Sequence, residues 1–438
     1  MLKLGLKLWS VNTDSYLREA RRLYAERVFD YLELYIVPGS QSTLPLWKAL
    51  QDELTLPFAI HAPHSAHGVN LADAAKRESN AKTFDEVRLF ADQLDAKHII
   101  VHGGAYPHPS DVSSETAIEE LVHQLKTLYD ARILLENKPF LPIDDAPIRL
   151  VGSTPDEIRR VLTAVGCGFC LDIGHAIASA NAHSANWRAW IDEFLSLHPA
   201  MFHLSDMQVG SQKDQHLHYG SGSLPLAHIV SLLPENALVS IETVKDQASQ
   251  LIDFSADVDC LTREVSGFDL YGIHLRPMGQ SDLELVRMQR NRPDMMRLMT
   301  TNHVITAEET RKWFAQLPSG SRYWMVEWEG KIVGQVNYKE LRQGEAESGF
   351  IFWDEEFKRG GGTFRAILAL YHVAFFVYGL KMLHGVVSAE NKAALNVTRF
   401  FGFRQTGEKE VNGRKFLLFA LSANDYSPIE QSFSKLFI

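Results

Sequence analysis

The sequence predicts an α/β protein in two parts, a parallel eight-stranded α/β barrel followed by a smaller α/β domain with a mixed sheet. Three observations carry this: eight apolar runs separated by amphipathic ones, an acidic excess confined to the first part, and a change of pattern near residue 268. The chain of 438 residues is long for one domain and comfortable for two, and its 45% hydrophobic content is ample for two cores. The formal net charge of −10 is unevenly divided: residues 1–265 hold 22 Lys+Arg against 35 Asp+Glu, and residues 266–438 hold 22 against 19. Histidine follows the acids, with 14 of 18 in the first 265 residues.

In chain order the candidate strands are LKLGLKLW, FDYLELYI, PFAIHAP, KHIIVHGG, ARILLEN, GFCLDIGH, AMFHLSDM and ALVSIETV. Each is an apolar run of strand length. Between most of them lie helical patterns such as SYLREARRLYAERV, ESNAKTFDEVRLFADQLD and SSETAIEELVHQLKTLYD. Eight βα units over residues 1–265 imply a parallel barrel, whose active site gathers at the carboxyl ends of the strands. From GIHLRPMGQSDLELVRMQRNRPDMM onward the pattern is strand, helix, helix, then the hairpin-like YWMVEWEGKIVGQVNY with Glu-Gly at its turn. SGFIFW, the loop DEEFKRGGGT, the helix FRAILALYHVAFFVYG, the strand MLHGVVS and NKAALNVTRFFGF follow, giving a second domain over residues 268–438.

Composition excludes several classes. Three cysteines form no disulfide framework, and their odd number suits a reducing compartment, so a cytoplasmic protein is expected. Cys167 and Cys170 sit in the apolar run VGCGFCLDIG and read as strand residues, with no second pair to complete a zinc site. No long apolar stretch opens the chain, and ILALYHVAFFVYGL is too short to span a bilayer, so no membrane partner is expected. Oligomeric state is not encoded in any feature of the sequence.

The ends of the predicted strands concentrate one kind of chemistry. His61 closes the third, His102 the fourth, Glu136 the fifth, Asp172 with His175 the sixth, His203 the seventh and Glu242 the eighth. Asp214 and His216 follow the seventh in KDQHLHYGSG, where they run into glycines. Imidazole and carboxylate suit zinc or manganese, and so many anionic groups facing one cavity repel each other without cations. Two or three ions are expected.

The motifs H61-A-P, V-H102-G-G, L-E136-N, L-D172-I-G-H175, F-H203-L-S-D, D214-Q-H216 and I-E242-T resemble the endonuclease IV branch of the xylose-isomerase-like barrels over residues 1–260. The resemblance implies that these nine residues hold a trinuclear zinc centre that hydrolyses a phosphate ester, with His218 lining the pocket. DNA at an abasic site is that family's best known substrate, but the loops LYIVPGSQSTLPLW and HAPHSAHGVNLADAA contain no Lys or Arg, and His64 stands where the family has an aromatic wedge. Nucleic acid is therefore not the favoured partner. The sugar epimerases and isomerases of the same superfamily use one metal, which Glu136, Glu242, Asp172 and His203 match, with the two glutamates moving a proton. A third alternative is a ligand-sensing barrel that regulates the second domain.

Residues 270–422 resemble the GNAT acetyltransferases, through L-R-P-M and S-D-L at the start, the glycine loop before the long helix, and N391-x-x-A followed by G-F. RNRPDMMRLMTTNHVITAEETRKWF looks like the N-acetyltransferase that modifies an amino sugar nucleotide in pseudaminic acid biosynthesis. The resemblance implies acetyl-CoA, with pyrophosphate on Lys358, Arg359, Gly360, Gly361, Gly362 and Thr363, the thioester beside Phe350, Ile351 and Phe352, and Asn391 completing the cofactor site. The usual glycine pattern fits in two registers, K358-R-G-G361-G-T363 or F357-K-R-G360-G-G362, and the tyrosine often serving as general acid is Thr398. Glu347 is the nominated base. Together the two halves read as a bifunctional enzyme of carbohydrate metabolism acting on a sugar or sugar nucleotide.

The acidic balance of residues 1–265 predicts weak or absent incision of an abasic duplex at physiological salt. A gel assay on a labelled abasic oligonucleotide checks this, and efficient His216-dependent cleavage is the contrary outcome.

Overall fold

Eight strands close into an all-parallel barrel: β1 (Lys3–Trp9), β2 (Tyr31–Tyr35), β3 (Phe58–His61), β4 (Ile99–His102), β5 (Ile133–Glu136), β6 (Gly168–Asp172), β7 (Met201–Leu204) and β8 (Leu238–Ile241). Each strand pairs with its neighbours in sequence, and β1 with β8 completes the ring. The computed structural model describes residues 2–438 apart from 13, 110–111, 246–249, 319–320, 343, 434 and 436–438. The described residues fall into two units: Met1–Leu224 with Leu233–Cys260, and Pro225–Leu232 with Leu261–Ile438.

Alternation along each strand decides what the barrel encloses. Leu6 and Leu8 of β1 are fully buried between its inward residues Gly5, Lys7 and Trp9. The lower interior is a plug of Tyr31, Ala59, Ile100, Leu134, Cys170 and Met201, with Leu238 packed against it, so seven strands each supply one side chain. The eighth supplies none: a Cβ on Gly5 would lie 2.4 Å from the Tyr31 ring, which fills that space. Cys170 belongs to this plug, and burial pushes its thiol up to about 12, which suits a packing residue.

Outside the ring, the helices Ser15–Ala25, Arg77–Gln93 and Ser114–Thr127 turn Leu17, Leu23, Phe84, Phe90, Leu121 and Leu125 inward at helical spacing. The sixth strand ends sooner than GFCLDIGH suggests. It stops at Asp172, whose carboxylate accepts the His175 N–H at 2.7 Å and caps the helix Ile173–Ala182. An antiparallel pair of short strands, Ala105–Pro107 and Ile148–Leu150, has no counterpart in the sequence reading.

In the second unit eight strands form one mixed sheet: β9 (Phe268–Leu270), β10 (Ile273–Pro277), β11 (Arg322–Trp328), β12 (Lys331–Arg342), β13 (Glu345–Phe352), β14 (Met382–Ser388), β15 (Arg404–Val411) and β16 (Arg414–Ser422), ordered β9-β10-β11-β12-β13-β14-β16-β15. The turn between β11 and β12 places Glu329 at φ 48° and Gly330 at φ 73°, as a two-residue hairpin of this hand requires. β13 and β14 are parallel and pair over only three positions, from Glu345 with Met382 to Glu347 with His384. The long apolar helix expected over 364–379 is regular only over Gly362–His372, then widens into a π turn at Val373–Val377. Among the described residues no helix is long and apolar enough to cross a membrane.

Gly5→Ala is expected to destabilise the barrel by about 1–3 kcal/mol, because its methyl group enters the space of a buried ring. A lowered midpoint of urea denaturation checks this, with partial recovery when Tyr31→Val is added.

Candidate functional site

Above the plug, the next inward position of seven strands carries an ionisable side chain, whereas β8 has Ser240 there and Glu242 one inward position later. Lys7, Glu33, His61, His102, Glu136, Asp172, His203 and Glu242 follow one another around the ring, Glu242 just beyond the end of β8. Register sets several side by side, Lys7 with Glu33, His102 with Glu136, and Asp172 with His203. His175 joins them from the first turn of its helix, and Asp214 and His216 from the loop after β7. Lys7 and Glu33 were missed by sequence reasoning. Glu33 sits among apolar residues in YLELY and Lys7 in KLGLKLW, where an isolated charge reads as a solvent-facing position.

The ligand-type atoms gather into four overlapping groups: Glu33, His61, His203 and Glu242; His61, His102 and Glu136; Glu136, Asp172 and His175; and His175, Asp214 and His216. Glu136 is central. One of its oxygens lies 3.0 Å from His102 Nε2 and 3.3 Å from both His61 Nε2 and His203 Nδ1. Its other oxygen lies 3.1 Å from His175 Nδ1 and 3.2 Å from Lys138 Nζ. Asp214 Oδ2 lies 2.6 Å from His216 Nε2 and 3.3 Å from His175 Nε2. Lys7 Nζ lies 3.2 Å from Glu33 Oε1 and against Glu242.

Backbone carbonyls orient the imidazoles. Nδ1 of His61 lies 2.8 Å from Ala62 O, Nδ1 of His216 lies 2.7 Å from Glu242 O, and Nδ1 of His175 lies 2.9 Å from Asn137 O. In His61 and His216 an Nδ1–H donated to these carbonyls leaves Nε2 facing the group, the arrangement of metal-binding histidines, whereas His175 Nδ1 also faces Glu136 Oε1 at 3.1 Å. His203 is turned the other way: its Nε2 is 3.0 Å from Glu33 Oε2, which also accepts from Ser240 Oγ at 2.5 Å, so Nδ1 faces the cluster. Asn137 ties β5 to β6 through paired hydrogen bonds with the Asp172 main chain, at 2.9 and 2.8 Å.

The site's polar atoms are not fully satisfied. Glu33 Oε1, His203 Nδ1 and Asp214 Oδ2 are buried within the ligand groups and make no well-formed hydrogen bond, although Lys7 Nζ, Glu242 Oε1 and His216 Nε2 lie 3.2, 2.8 and 2.6 Å from them. Buried orphans of this kind in a set of five carboxylates and five imidazoles fit bound divalent ions. The charges polarise one another strongly. Burial works against charging His175, yet Asp172 and Asp214 outweigh it and raise the imidazole to about 10. Burial likewise opposes ionising Glu33, but His203 and Lys7 prevail and hold it at about 2. The same balance, with Glu242, Glu33 and Glu136 as partners, keeps Lys7 above the usual lysine range. At the rim His64 stacks on His102 at 4.6 Å, and burial together with His61 and the nearby lysines lowers it to about 3.

The loop holding Asp214 and His216 is folded onto one carboxylate. Asp206 accepts from the N–H groups of Met207, Gly220, Gly222 and Leu224 at 2.7, 2.9, 3.0 and 3.1 Å. A Cβ on Gly222 would lie 2.3 Å from Asp206 Oδ1, so the glycines of KDQHLHYGSG serve this close approach and not the ligand groups directly. His218, read as a pocket residue, lies 2.9 Å from Asp257 Oδ2 and belongs to none of the four groups.

In the second unit the glycine segment is a helix-to-helix junction. Lys358 and Arg359 end the short helix Glu355–Arg359, Gly361 is left-handed at φ 78°, and Gly362 and Thr363 begin the long helix. A Cβ on Gly362 would lie 2.2 Å from the Phe357 ring, whereas one on Gly361 would meet nothing within 4 Å. Phe350, Ile351 and Phe352 occupy the part of β13 beyond its pairing with β14. Asn391 caps the helix Lys392–Phe400 by accepting the Ala394 N–H at 3.0 Å. Thr398 is buried on that helix. Glu347, expected just before a strand, lies within β13 and pairs with Lys339 at 2.6 Å.

Comparison with known proteins matches both units. Residues 22–263 match the model of the xylose isomerase-like TIM barrel, and residues 273–404 that of the acetyltransferase (GNAT) domain. A protein of Aquifex aeolicus (strain VF5) described as "Probable endonuclease 4" is 25% identical over 219 residues, 45% of this chain and 74% of its own length. A solved D-tagatose 3-epimerase-like protein is 20% identical, with a TM-score of 0.47 over 60% of this chain and 97% of its own. Spermidine N-acetyltransferase from Vibrio cholerae, solved with CoA and spermine, is 18% identical, with a TM-score of 0.32 over 36% of this chain and 98% of its own.

Asp206→Asn is expected to loosen the loop over 207–224, since a neutral amide offers one accepting oxygen where the carboxylate offers two. Hydrogen exchange at Gly220 and Gly222 should accelerate about tenfold or more, as loss of one charge-assisted hydrogen bond worth ~1.5–3 kcal/mol implies. Unchanged protection there is the contrary result.

Proposed function

The chain belongs to the xylose isomerase-like TIM barrel family and continues into a GNAT acetyltransferase domain, and on that premise we propose a bifunctional enzyme of carbohydrate metabolism. Its barrel is a metal-dependent phosphoester hydrolase, and its second unit transfers acetyl from acetyl-CoA to an amino sugar or its nucleotide. The observation that carries the barrel assignment is the chain of ligand groups sharing Glu136, His61 and His175 within one mouth.

Divalent ions held there, zinc or manganese, would supply an acidified water and charge stabilisation for P–O cleavage. The chain's own residues do the placing. His61, His102 and Glu136 form one group and His175, Asp214 and His216 another, joined through Glu136, Asp172 and His175, while His203 and Glu242 group with Glu33 and His61. Ala62, Asn137 and Glu242 carbonyls fix three of the imidazoles. Lys138, 13% exposed, lies 3.2 Å from Glu136 and supplies a cation that can meet a phosphate. A one-ion isomerase built on Glu136, Asp172, His203 and Glu242 leaves the group His175, Asp214 and His216 without purpose.

For the transferase, the early parting of β13 from β14 gives an extended ligand an exposed main-chain edge at Phe350, Ile351 and Phe352. The amino terminus of the helix Gly362–His372 suits a pyrophosphate, and the left-handed Gly361 lets the chain approach it closely. Lys358, Arg359, Gly360 and Thr363 flank that turn and Asn391 caps the neighbouring helix. Glu347 is our nominee for the base that receives the proton of the attacking amine; its Lys339 pair must open for it to act.

Two measurements test this reading. Assayed on a panel of sugar phosphates, the protein should release inorganic phosphate, lose this activity with a chelator and regain it with zinc or manganese; metal-independent release contradicts the barrel assignment. In calorimetric titration Gly361→Val should stay folded and bind acetyl-CoA at least about tenfold more weakly, a change of ~1.4 kcal/mol. Unaltered affinity, or none in the parent protein, removes the acetyltransferase assignment.

A further inference from the structure

We propose that the Lys7 ammonium takes the place of one metal ion, so that the barrel mouth holds two divalent ions and one fixed cation of its own. This rests on the reading of the mouth as a multinuclear metal site. Two of the ligand groups, His61–His102–Glu136 and His175–Asp214–His216, share no residue, and among the described residues neither forms an ion pair with Lys7. The group Glu33–His61–His203–Glu242 differs, because both of its carboxylates are the partners of Lys7: Nζ lies 3.2 Å from Glu33 Oε1 and hydrogen-bonds Glu242 Oε1.

The arrangement is built into the fold. Lys7 comes from the middle of β1, opposite Glu33 in register, and only 14% of its side chain is exposed, so its ammonium has little freedom to swing out of the mouth. An ammonium is a compact charge with three donors, and it meets the same carboxylate oxygens that an ion at that corner requires. Glu33 is fully buried and directed away from the other groups, with its second oxygen held by His203 Nε2 at 3.0 Å and Ser240 Oγ at 2.5 Å. It orients His203 and anchors Lys7.

Charge points the same way. Counting the histidines as neutral and leaving aside Lys245, whose side chain is exposed and solvated, the five carboxylates of the ligand groups and the ammoniums of Lys7 and Lys138 leave three negative charges. Two divalent ions bring the mouth to within one charge of neutrality. A third leaves an uncompensated excess of three positive charges in a largely buried site, with one ion against the Lys7 ammonium.

Metal stoichiometry of the full chain, purified with zinc and freed of loose ions, reads this directly. Two zinc ions per chain are expected in the parent, two in Lys7→Arg, and three in Lys7→Met, with circular dichroism showing that each variant is folded. Lys7→Gln carries the same test if Lys7→Met does not fold. Three ions in the parent overturn this inference alone and leave the multinuclear reading standing, as does an unchanged count of two in a folded Lys7→Met or Lys7→Gln. One ion or none in the parent overturns both.

Discussion

A single buried carboxylate, Glu136, is surrounded by four imidazoles and an ammonium, and the barrel mouth is organised around it. In a parallel barrel alternate residues of every strand face the interior. Low in the barrel this chain fills the interior with seven side chains and a glycine; at the mouth it places charge on seven strands and on Glu242 just past the eighth. Such a ring is tolerable only where charges pair or ions neutralise them. Glu33, His203 and Asp214 each keep a buried atom without a well-formed hydrogen bond even though a charged partner lies beside it.

Supporting residues turn this ring into a defined site. Asn137 bridges the strands that carry Glu136 and Asp172. Asp172 caps the helix that presents His175, so one carboxylate sets both a ligand and its neighbour. Asp206 collects four main-chain N–H groups and thereby closes the loop that brings Asp214 and His216 back over the mouth. None of these residues supplies the chemistry, yet each fixes an atom that does.

Much of this was legible in the sequence, for identifiable reasons. Strands buried on both faces are continuous apolar runs, so all eight barrel strands stood out, and a polar residue that ends such a run lies at the mouth by topology alone. His61, His102, Glu136, Asp172, His203 and Glu242 were visible in that way. Lys7 and Glu33 were not, because they lie inside their runs, where only three-dimensional register distinguishes an inward charge from an outward one. The function of Gly220 and Gly222 was also hidden, since the Asp206 carboxylate that they approach lies 14 and 16 residues away. In the second unit the hairpin turn at Glu329 and Gly330 followed from local chemistry. The break of the long helix at Val373 has no local signal in its apolar sequence.

The account depends most on ions occupying the two ligand groups that share no residue and, among the described residues, make no ion pair with Lys7. Anomalous diffraction at the zinc absorption edge, from crystals of the full chain grown with zinc, locates them without reference to any substrate. Two peaks are predicted, one among His61, His102 and Glu136 and one among His175, Asp214 and His216, each ~2.0–2.2 Å from its nitrogen and oxygen ligands. A single peak enclosed by Glu136, Asp172, His203 and Glu242, or no peak in the barrel, contradicts the account.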